Sequence, residues 1–321
     1  MTRGTIHHVY ANRSNAGDWL SARGVQMLLG DAPIEEHLCD EPFVPETLRS
    51  LSTLQRTDIV VVGGGGLLMD YFVPFWEGLL DLDVRLCVWG IGVVDLKREP
   101  TLPPPRLLRR IAERSELTVV RDARTAEMLG GSDVTVSPCP SLVAVPAAPP
   151  APLGLLHVAN MTTVGEQEFM QMRIAGEAWA GATSRVFRET NNRHHADDAG
   201  LESVLALYRR SDVVLSSALH GCLIAIAMGR PVVAVSGDYK IDEMMTDAGL
   251  AHWLLGQEQI ADVPSCLVDV LAHQAMPVAY VERALVEGRT VADRVRSLVD
   301  LDDRSGPTAA EVRRVNRRAR C

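Results

Sequence analysis

The sequence predicts an α/β fold of two Rossmann-like, doubly wound domains that face each other across a cleft. Three observations lead to this prediction. Short β-branched runs alternate with amphipathic helical segments in both halves of the chain. A length of 321 residues exceeds what one hydrophobic core usually organises. Between the halves, residues 146–153 hold Pro146, Pro149, Pro150 and Pro152 among alanines, a composition typical of a semi-rigid linker.

The first domain is predicted to span residues 1–145. A helix is predicted over Trp19–Leu29, with Asp18 as its N-cap, and another begins at Pro105, because proline suits the first helical turn. Five segments rich in apolar and β-branched residues predict strands: Thr5–Tyr10, Ile59–Val62, Arg85–Trp89, Leu117–Val120 and Val134–Ser137.

The second domain is predicted to span residues 154–300 and to be followed by a basic tail, residues 301–321. An amphipathic helix is expected over Leu201–Tyr208. The segment Cys222–Met228 is apolar on every side, and its flanking glycines favour a short buried helix over a strand. Four further strands are predicted: Leu153–Val158, Arg185–Glu189, Val213–Ser216 and Val232–Val235.

Composition and charge exclude several classes of function. With 32 Lys and Arg against 41 Asp and Glu, the net charge of −9 argues against a nucleic-acid-binding surface, and the basic run Arg313–Arg320 has no aromatic partners. Six cysteines without a C-x-x-C pair indicate a reducing compartment. Neither an apolar leader nor an uninterrupted membrane-length segment is present. We therefore expect a cytoplasmic protein without a membrane span, and homo-oligomer formation is left open.

A run of four glycines, Gly63, Gly64, Gly65 and Gly66, follows the predicted strand Ile59–Val62. If a helix follows, backbone amides at its N-terminus would approach an anion closely. The dinucleotide fingerprint G-x-G-x-x-G is not met, which disfavours an NAD-dependent oxidoreductase. A phosphate or carboxylate site and a merely tight turn are both compatible with this run. Asp70 would lie one turn into that helix, as a site residue or as a structural charge.

Other polar side chains follow predicted strands, and ligands of such sheets bind outside the carboxyl ends of the strands. Asn15 and Asp18 lie in the loop after the first strand, where Asp18 caps a helix or contacts substrate. Arg121 ends another strand and suits anion binding, although an ion pair with Asp122 is the alternative. The loop Asn191–His195 is expected at the surface or at an acceptor.

In the second half, Ser216-Ser217-Ala218-Leu219-His220-Gly221 joins a buried strand to the apolar helix. A histidine at a helix N-terminus is held neutral, so His220 is a candidate acid, base or hydrogen-bond donor. Lys240, after the next strand, could contact a phosphate. Neither adjacent histidine pair, His7-His8 or His194-His195, has metal-ligand spacing by itself, and we predict no metal.

Taken together, these motifs resemble the polysaccharide pyruvyl transferase family over roughly Val9–Leu250. Each motif alone is weak, and their order and spacing carry the resemblance. The motifs are Asn15-x-Gly17-Asp18, Gly63–Gly66 with Asp70, Gly90-Ile91-Gly92, Arg121-Asp122, Cys139-Pro140-Ser141, His220-Gly221, Gly229-x-Pro231 and Asp238-x-Lys240.

The resemblance implies a glycosyltransferase-B-like pair of domains. It also implies transfer of the enolpyruvyl unit of phosphoenolpyruvate onto two hydroxyls of a sugar or glycoconjugate, with no other cofactor. Such chemistry needs cations for the donor, an acid and a base. His220 is the candidate for acid–base work or phosphate binding, with Asp70 a further candidate catalytic residue. Arg121 and Lys240 are candidate anion contacts, while Gly63–Gly66 are candidate contacts of a sugar or phosphate oxygen.

One position departs from the family pattern. An arginine usually stands two residues before the histidine, as R-x-H-G, and here that residue is Ala218. By strand-end position, Arg193, Arg188 and Lys240 are the nearest candidates to supply its charge. Two alternative functions stay open: a nucleotide-sugar glycosyltransferase of the glycosyltransferase-B type, and a noncatalytic sugar- or anion-binding homologue.

Overall fold

The computed structural model describes residues 4–131 and 133–301, so nearly all of the predicted basic tail, 301–321, lies outside the described residues. Two parallel β-sheets account for the strands of the described chain. Their orders are β2-β1-β3-β5-β6-β7, with β4 also pairing β5, and β12-β11-β10-β8-β9. Consecutive strands are joined through helices, except β3 and β4, which are separated only by Gly63 and Gly64. The α/β fold predicted from the sequence is therefore confirmed.

The first sheet is formed by the N-terminal half of the chain. Its central strand β3 is buried along its whole length, which explains its unbroken β-branched sequence. Its strands are β1 (Ile6–Tyr10), β2 (Ile34–Leu38), β3 (Ile59–Val62), β4 (Gly65–Leu68), β5 (Arg85–Val93), β6 (Leu117–Val120) and β7 (Val134–Val136). The helices of this half are α1 (Ala16–Leu29), α2 (Val44–Leu51), α3 (Val73–Asp81), α4 (Pro105–Arg114), α5 (Ala123–Leu129) and α6 (Ser141–Ala144).

The second sheet follows the proline-rich segment, which has no helix or strand between Ala144 and Gly154. Its strands are β8 (Gly154–Val158), β9 (Val186–Thr190), β10 (Val213–Ser216), β11 (Val232–Ser236) and β12 (Leu254–Gly256). The remaining helices are α7 (Met161–Val164), α8 (Glu166–Ala182), α9 (Asp198–Arg209), α10 (Leu219–Ala227), α11 (Tyr239–Asp247), α12 (Val263–His273) and α13 (Val278–Leu301). Short 3-10 turns span Asp70–Phe72, Ala251–Trp253 and Gln257–Asp262.

All nine strands predicted from the sequence are confirmed, eight of them within one residue at each end, and so is the buried helix α10. The exception is β5, which extends four residues beyond the predicted end at Trp89. Three strands were not predicted. The edge strand β2 reads Ile-Glu-Glu-His-Leu and is half exposed, so it lacks an apolar run. The other two, β4 and β12, begin or end with glycine and span four and three residues.

The last helix departs from the predicted domain boundary of residue 300. Val291, Val295 and Val299 of α13 pack in one cluster with Ile6 and Ile59 of the first sheet. Two arginines fix this arrangement, because Arg85 donates to the Leu298 carbonyl and Arg296 to the Leu28 carbonyl. The chain therefore returns to the first domain, since the apolar face of α13 fills the groove beside α1.

The two domains share a continuous core beneath the cleft. Trp19 and Leu20 of α1, Leu142 of α6, and Leu219 and Leu223 of α10 belong to one buried cluster. A second connection crosses at the segment after β5, where the Lys97 amide donates to the Gly237 carbonyl at 2.9 Å. No helix of the described chain has the length and apolar character to cross a membrane.

Candidate functional site

The carboxyl ends of both sheets open into one cleft of about 970 Å³ between the domains. Nine strand-exit regions contribute to its lining, after β1, β2, β4, β5, β6, β8, β9, β10 and β11. Among the lining residues are Asn15, Asp18, Gly66, Arg121, Arg193, Ala218, His220 and Lys240. The structure thus brings together six of the ten site residues predicted from the sequence, from segments up to 225 positions apart.

Arg121 is a buried cation at the end of β6. Its side chain is 3% exposed and passes over Gly92, where a side chain would collide with Nε at 2.6 Å. Nη2 lies 3.7 Å from where Gly66 would carry a Cβ, and both residues line the cleft. Nε and Nη1 have no hydrogen-bond partner, and the nearest carboxylate oxygen, of Asp122, is 3.9 Å from Nε. The predicted ion pair with Asp122 is therefore too long to satisfy the guanidinium.

Asp122 is held by another partner. Its side chain is the N-cap of α5 and accepts a 2.7 Å hydrogen bond from the Thr125 amide. Burying a cation without hydrogen-bond partners lowers the stability of the fold, and a bound anion would supply the missing partners. Arg121 is thus the strongest indication of an anion site in the cleft.

His220 is the second residue of α10 and packs directly on the first turn of α1. Gly17 makes this contact possible, because a Cβ there would lie 2.1 Å from the His220 Nδ1. On its other edge, Nε2 is 3.9 Å from the sulfur of Cys139. Burial lowers the pKa of His220 well below its usual value, and the Arg121 and Lys240 cations lower it further. The imidazole is therefore neutral at pH 7.

Asp18 lines the same cleft as His220 and is not the N-cap of α1, the first of the two roles considered for it. The helix begins three residues earlier than predicted, and Asn15 is its N-cap, accepting a 2.9 Å hydrogen bond from the Gly17 amide. Asp18 is thereby left to face the cleft. Burial raises the pKa of Asp18 to about 6, although Arg121, Arg193 and Lys240 pull it down. A carboxyl with this pKa can hold a proton near neutral pH.

Lys240 approaches the same region from the second domain. Its ammonium lies 2.5 Å from Asp238, which is fully buried as the N-cap of α11. Burial lowers the pKa of Lys240, and the Asp238 carboxylate opposes that shift. This ion pair fixes a cation at the floor of the cleft.

The glycine run does not lead into a helix, contrary to the prediction. Gly65 and Gly66 begin strand β4, which pairs with the end of β5, and only Gly66 of the four glycines lines the cleft. The Gly63 amide is already bonded to the Val9 carbonyl at 2.9 Å. At Gly65 the backbone has φ +104°, and a Cβ would lie 2.3 Å from the Asp18 carboxylate. The run leaves space for Asp18, rather than forming an anion-binding helix N-terminus.

Asp70 is also displaced from its predicted position. It begins the 3-10 turn Asp70–Phe72 instead of lying inside a helix, since β4 occupies the intervening residues. The side chain is exposed, accepts a hydrogen bond from the Tyr71 amide at 2.7 Å, and is outside the lining of the cleft. In this structure Asp70 contacts neither His220 nor Arg121.

Around Ala218 the cleft is lined by a methyl group where the family pattern has arginine. Ala218 is the N-cap position of α10, and no side chain caps that helix. Of the three cations considered as substitutes, Arg193 and Lys240 line the cleft. Arg188 donates to the Val186 carbonyl at 3.4 Å and is not among the lining residues.

Arg193 belongs to a loop that joins the domains. The loop Asn191–His195 was expected at the surface or at an acceptor, and Asn191, Arg193 and His195 are exposed while Asn191–Arg193 line the cleft. The loop also docks on the first domain, because the Ala16 amide donates to the Asn192 carbonyl and the His194 ring stacks on Trp19 at 5.7 Å. Sequence periodicity contains no signal for this docking, since it depends on two segments about 175 positions apart.

Glu189 is a lining residue that sequence reasoning missed. It is the next-to-last residue of β9, accepts a 2.9 Å hydrogen bond from the buried His157 ring, and lies 3.7 Å from Arg173. Its position at a strand exit was the available signal. Glu189 and Asp40 add carboxylates to a cleft that is also lined by Arg121, Arg193 and Lys240.

Comparison with known families identifies the chain. The model of the polysaccharide pyruvyl transferase family matches residues 15–239, well over half of the sequence. The chain belongs to the polysaccharide pyruvyl transferase family. The matched region includes Asp18, Arg121 and His220, and membership indicates a transferase that modifies polysaccharides. No curated protein matches the sequence.

Solved structures show the same fold as this pyruvyl transferase family member at low sequence identity. S. aureus MnaA, solved with UDP, has a TM-score of 0.64 and 10% identity, covering 95% of this chain and 99% of that chain. The UDP-GlcNAc 2-epimerase of Methanocaldococcus jannaschii, solved with UDP-GlcNAc and UDP, has a TM-score of 0.57 and 9% identity, covering 92% and 99%. The lipopolysaccharide outer core galactosyltransferase WaaB has a TM-score of 0.50 and 13% identity, covering 91% and 99%. The glycosyltransferase-B-like fold is thereby confirmed.

Proposed function

We propose that this protein transfers the enolpyruvyl unit of phosphoenolpyruvate onto two hydroxyls of a sugar or glycoconjugate. The products are a cyclic pyruvate ketal and phosphate. The observation that carries the proposal is the buried guanidinium of Arg121, whose hydrogen bonds are incomplete, beside a neutral His220 and the Lys240 cation. Family membership supports the same reaction class.

The cationic region suits a donor with several negative charges. Phosphoenolpyruvate carries a phosphate and a carboxylate, and burying them requires compensating cations. Arg121 and Lys240 supply two charges from opposite domains, and Arg193 at the mouth supplies a third. In this proposal Arg193 takes over part of the role of the arginine that Ala218 replaces.

The reaction requires two proton transfers that balance. The first acceptor hydroxyl bonds to C2 of the donor and loses its proton, while a proton is added to the methylene carbon C3. The C2–O bond to phosphate then breaks, the second hydroxyl bonds to C2, and its proton leaves with the phosphate. The methylene becomes a methyl group, and the ketal and phosphate account for every atom.

Asp18 and His220 are proposed as the acid and the base. Asp18, with a pKa of about 6, is the group able to deliver a proton to C3. A bound donor would neutralise the cations that pull this pKa down, so Asp18 would hold its proton more strongly in the complex. His220 is neutral and accepts the proton of the hydroxyl, assisted by its position over Gly17.

The acceptor is proposed to contact Glu189, Asn160 and Asp40, which also line the cleft. Carboxylate and amide groups are suited to binding sugar hydroxyls. Loops from both domains contribute, so the acceptor would lie between the domains.

Phosphorus NMR of the full chain with phosphoenolpyruvate and candidate glycosides tests the proposal. Expected is release of phosphate that depends on the acceptor, with a ketal methyl signal appearing on the sugar. The variant Arg121→Met removes the guanidinium on which the proposal rests. Arg188→Met serves as its matched control, because that side chain lies outside the cleft lining. Phosphate release that is absent with every acceptor, together with tight UDP binding, would overturn the proposal and favour a nucleotide-sugar enzyme.

A further inference from the structure

A second group of titratable side chains lies outside the cleft, on the edge of the first sheet. His7 of β1 is paired with Glu35 of β2, and His37 follows two positions after Glu35. Because side chains alternate along a strand, Glu35 and His37 lie on the same face, beside His7. None of the three lines the cleft.

The three side chains converge on one point. Nδ1 of His7 lies 3.0 Å from Nε2 of His37 and 3.5 Å from a carboxylate oxygen of Glu35. All three ligand atoms lie within 4.8 Å of one another. Ligands of a tetrahedral zinc ion at about 2.0–2.1 Å are separated by about 3.3 Å, so the two distances from His7 need adjustments of only a few tenths of an ångström.

We propose that His7, Glu35 and His37 form a zinc-binding site that links the edge strand β2 to β1. Two imidazoles and one carboxylate are a donor set that zinc accepts, with water in the fourth position. Glu35 is 65% exposed, so that fourth position faces solvent and an ion can enter.

The burial of the histidines favours this use. His7 is buried and His37 is half-buried, so the surrounding sheet holds both rings in place. A neutral imidazole carries one lone pair, and a shift of tautomer directs both lone pairs to the ion without release of a proton from either ring. The hydrogen bond between the rings is replaced by two coordinate bonds.

A different cluster on the surface provides a matched control. His273 and His252 approach the same carboxylate, Asp269, at 2.8 and 3.4 Å, and both histidines are more than two-thirds exposed. That carboxylate is shared with the indole of Trp253. His273→Ala therefore removes one histidine, as His37→Ala does, and leaves the proposed site intact.

Calorimetric titration of tag-free, chelator-treated full-length protein with zinc chloride tests the proposal, with thermal melts in parallel. Expected are one zinc ion per chain and a higher melting temperature with zinc. Mutating a residue that only orients a metal ligand already lowers metal affinity about 10–100-fold. His37→Ala and Glu35→Gln remove a ligand, so each should weaken zinc binding more than about 100-fold. His273→Ala should bind as the natural protein does.

Glu35→Gln keeps the test valid if His37→Ala fails to fold, because Glu35 is largely exposed. The proposal is overturned if no zinc binds at one per chain, if both variants retain full affinity, or if His273→Ala reduces binding equally. In the first case the contact between the rings is a simple hydrogen bond. Phosphate release in the NMR assay should be the same in Glu35→Gln and in the natural protein.

Discussion

Replacing Arg121 by methionine should weaken donor binding without destabilising the empty protein. Methionine keeps the apolar stem that passes over Gly92 and removes only the guanidinium. Nη2 is the atom next to the cleft, 3.7 Å from the Cβ position of Gly66. One charge-assisted hydrogen bond contributes about 1.5–3 kcal/mol, so the Kd for phosphoenolpyruvate should rise about 10- to 100-fold.

Most substitutions of buried residues destabilise the native state, and Arg121→Met should not. Nε and Nη1 are buried without hydrogen-bond partners, and each such donor costs about 1–3 kcal/mol in the empty protein. Removing them should leave the melting temperature unchanged or raise it. An Arg that served the fold would show the reverse, because its loss would break contacts that stabilise the native state.

Two measurements on the same preparations check this reasoning. Isothermal titration with phosphoenolpyruvate and with inorganic phosphate gives the Kd, and differential scanning calorimetry without ligand gives the melting temperature. Arg188→Met is the control, because that side chain bonds to the Val186 carbonyl and lies outside the cleft lining. Unchanged affinity in Arg121→Met, or a clear fall in its melting temperature, would refute the assignment.

The remaining predictions concern the acid, the base and the missing cation. In pH–rate profiles, kcat/KM of the natural protein should fall above about pH 6, where Asp18 loses its proton, and Asp18→Asn should abolish this fall. Because the folded pKa is raised from 3.8, the native state favours the protonated form, and this contribution to stability is lost as pH rises through 6. Thermal melts should therefore show Asp18→Asn more stable than the natural protein above pH 6, and the gap should close below about pH 4. His220→Ala should cut turnover about 10²–10⁴-fold with little change in melting temperature; a large loss of stability with normal turnover per folded molecule would contradict its role. Gly17→Ala should lower turnover as well, because its methyl group would overlap the imidazole 2.1 Å away; steady-state rates equal to those of the natural protein would show that the ring position is unimportant. Ala218→Arg should tighten binding of phosphoenolpyruvate about 10-fold or more in the same titrations, and no gain would mean that the site lacks room for a further cation.

The fold could be predicted because its strands are buried on both faces. Runs such as Ile59–Val62 contain only β-branched residues, and no helix with one exposed face has that composition. The edge strand Ile34–Leu38 escaped prediction for the converse reason, since charged residues occupy its exposed positions. The return of Val278–Leu301 to the first sheet depends on packing between distant segments, which periodicity alone does not encode.

The site was predictable where it depended on strand exits, and not where it depended on exact helix starts. Arg121, His220 and Lys240 each follow a strand and do meet in the cleft. Asp18 was interpreted first as a cap, because aspartate is favoured at that position. Asn15 is favoured equally, and the choice between them was settled by the contact of Gly17 with His220, which only the folded chain brings together.

The position of Ala218 connects the site to the contact between the domains. Its missing arginine would have come from the second domain alone, beside His220 on the same helix. Arg193 instead belongs to a loop whose backbone is bonded to the start of α1 in the first domain, through Asn15 and Ala16. Any separation of the domains would therefore move this cation relative to Arg121 and Asp18, which both belong to the first domain. Donor binding through Arg193 should accordingly depend on this contact between the domains.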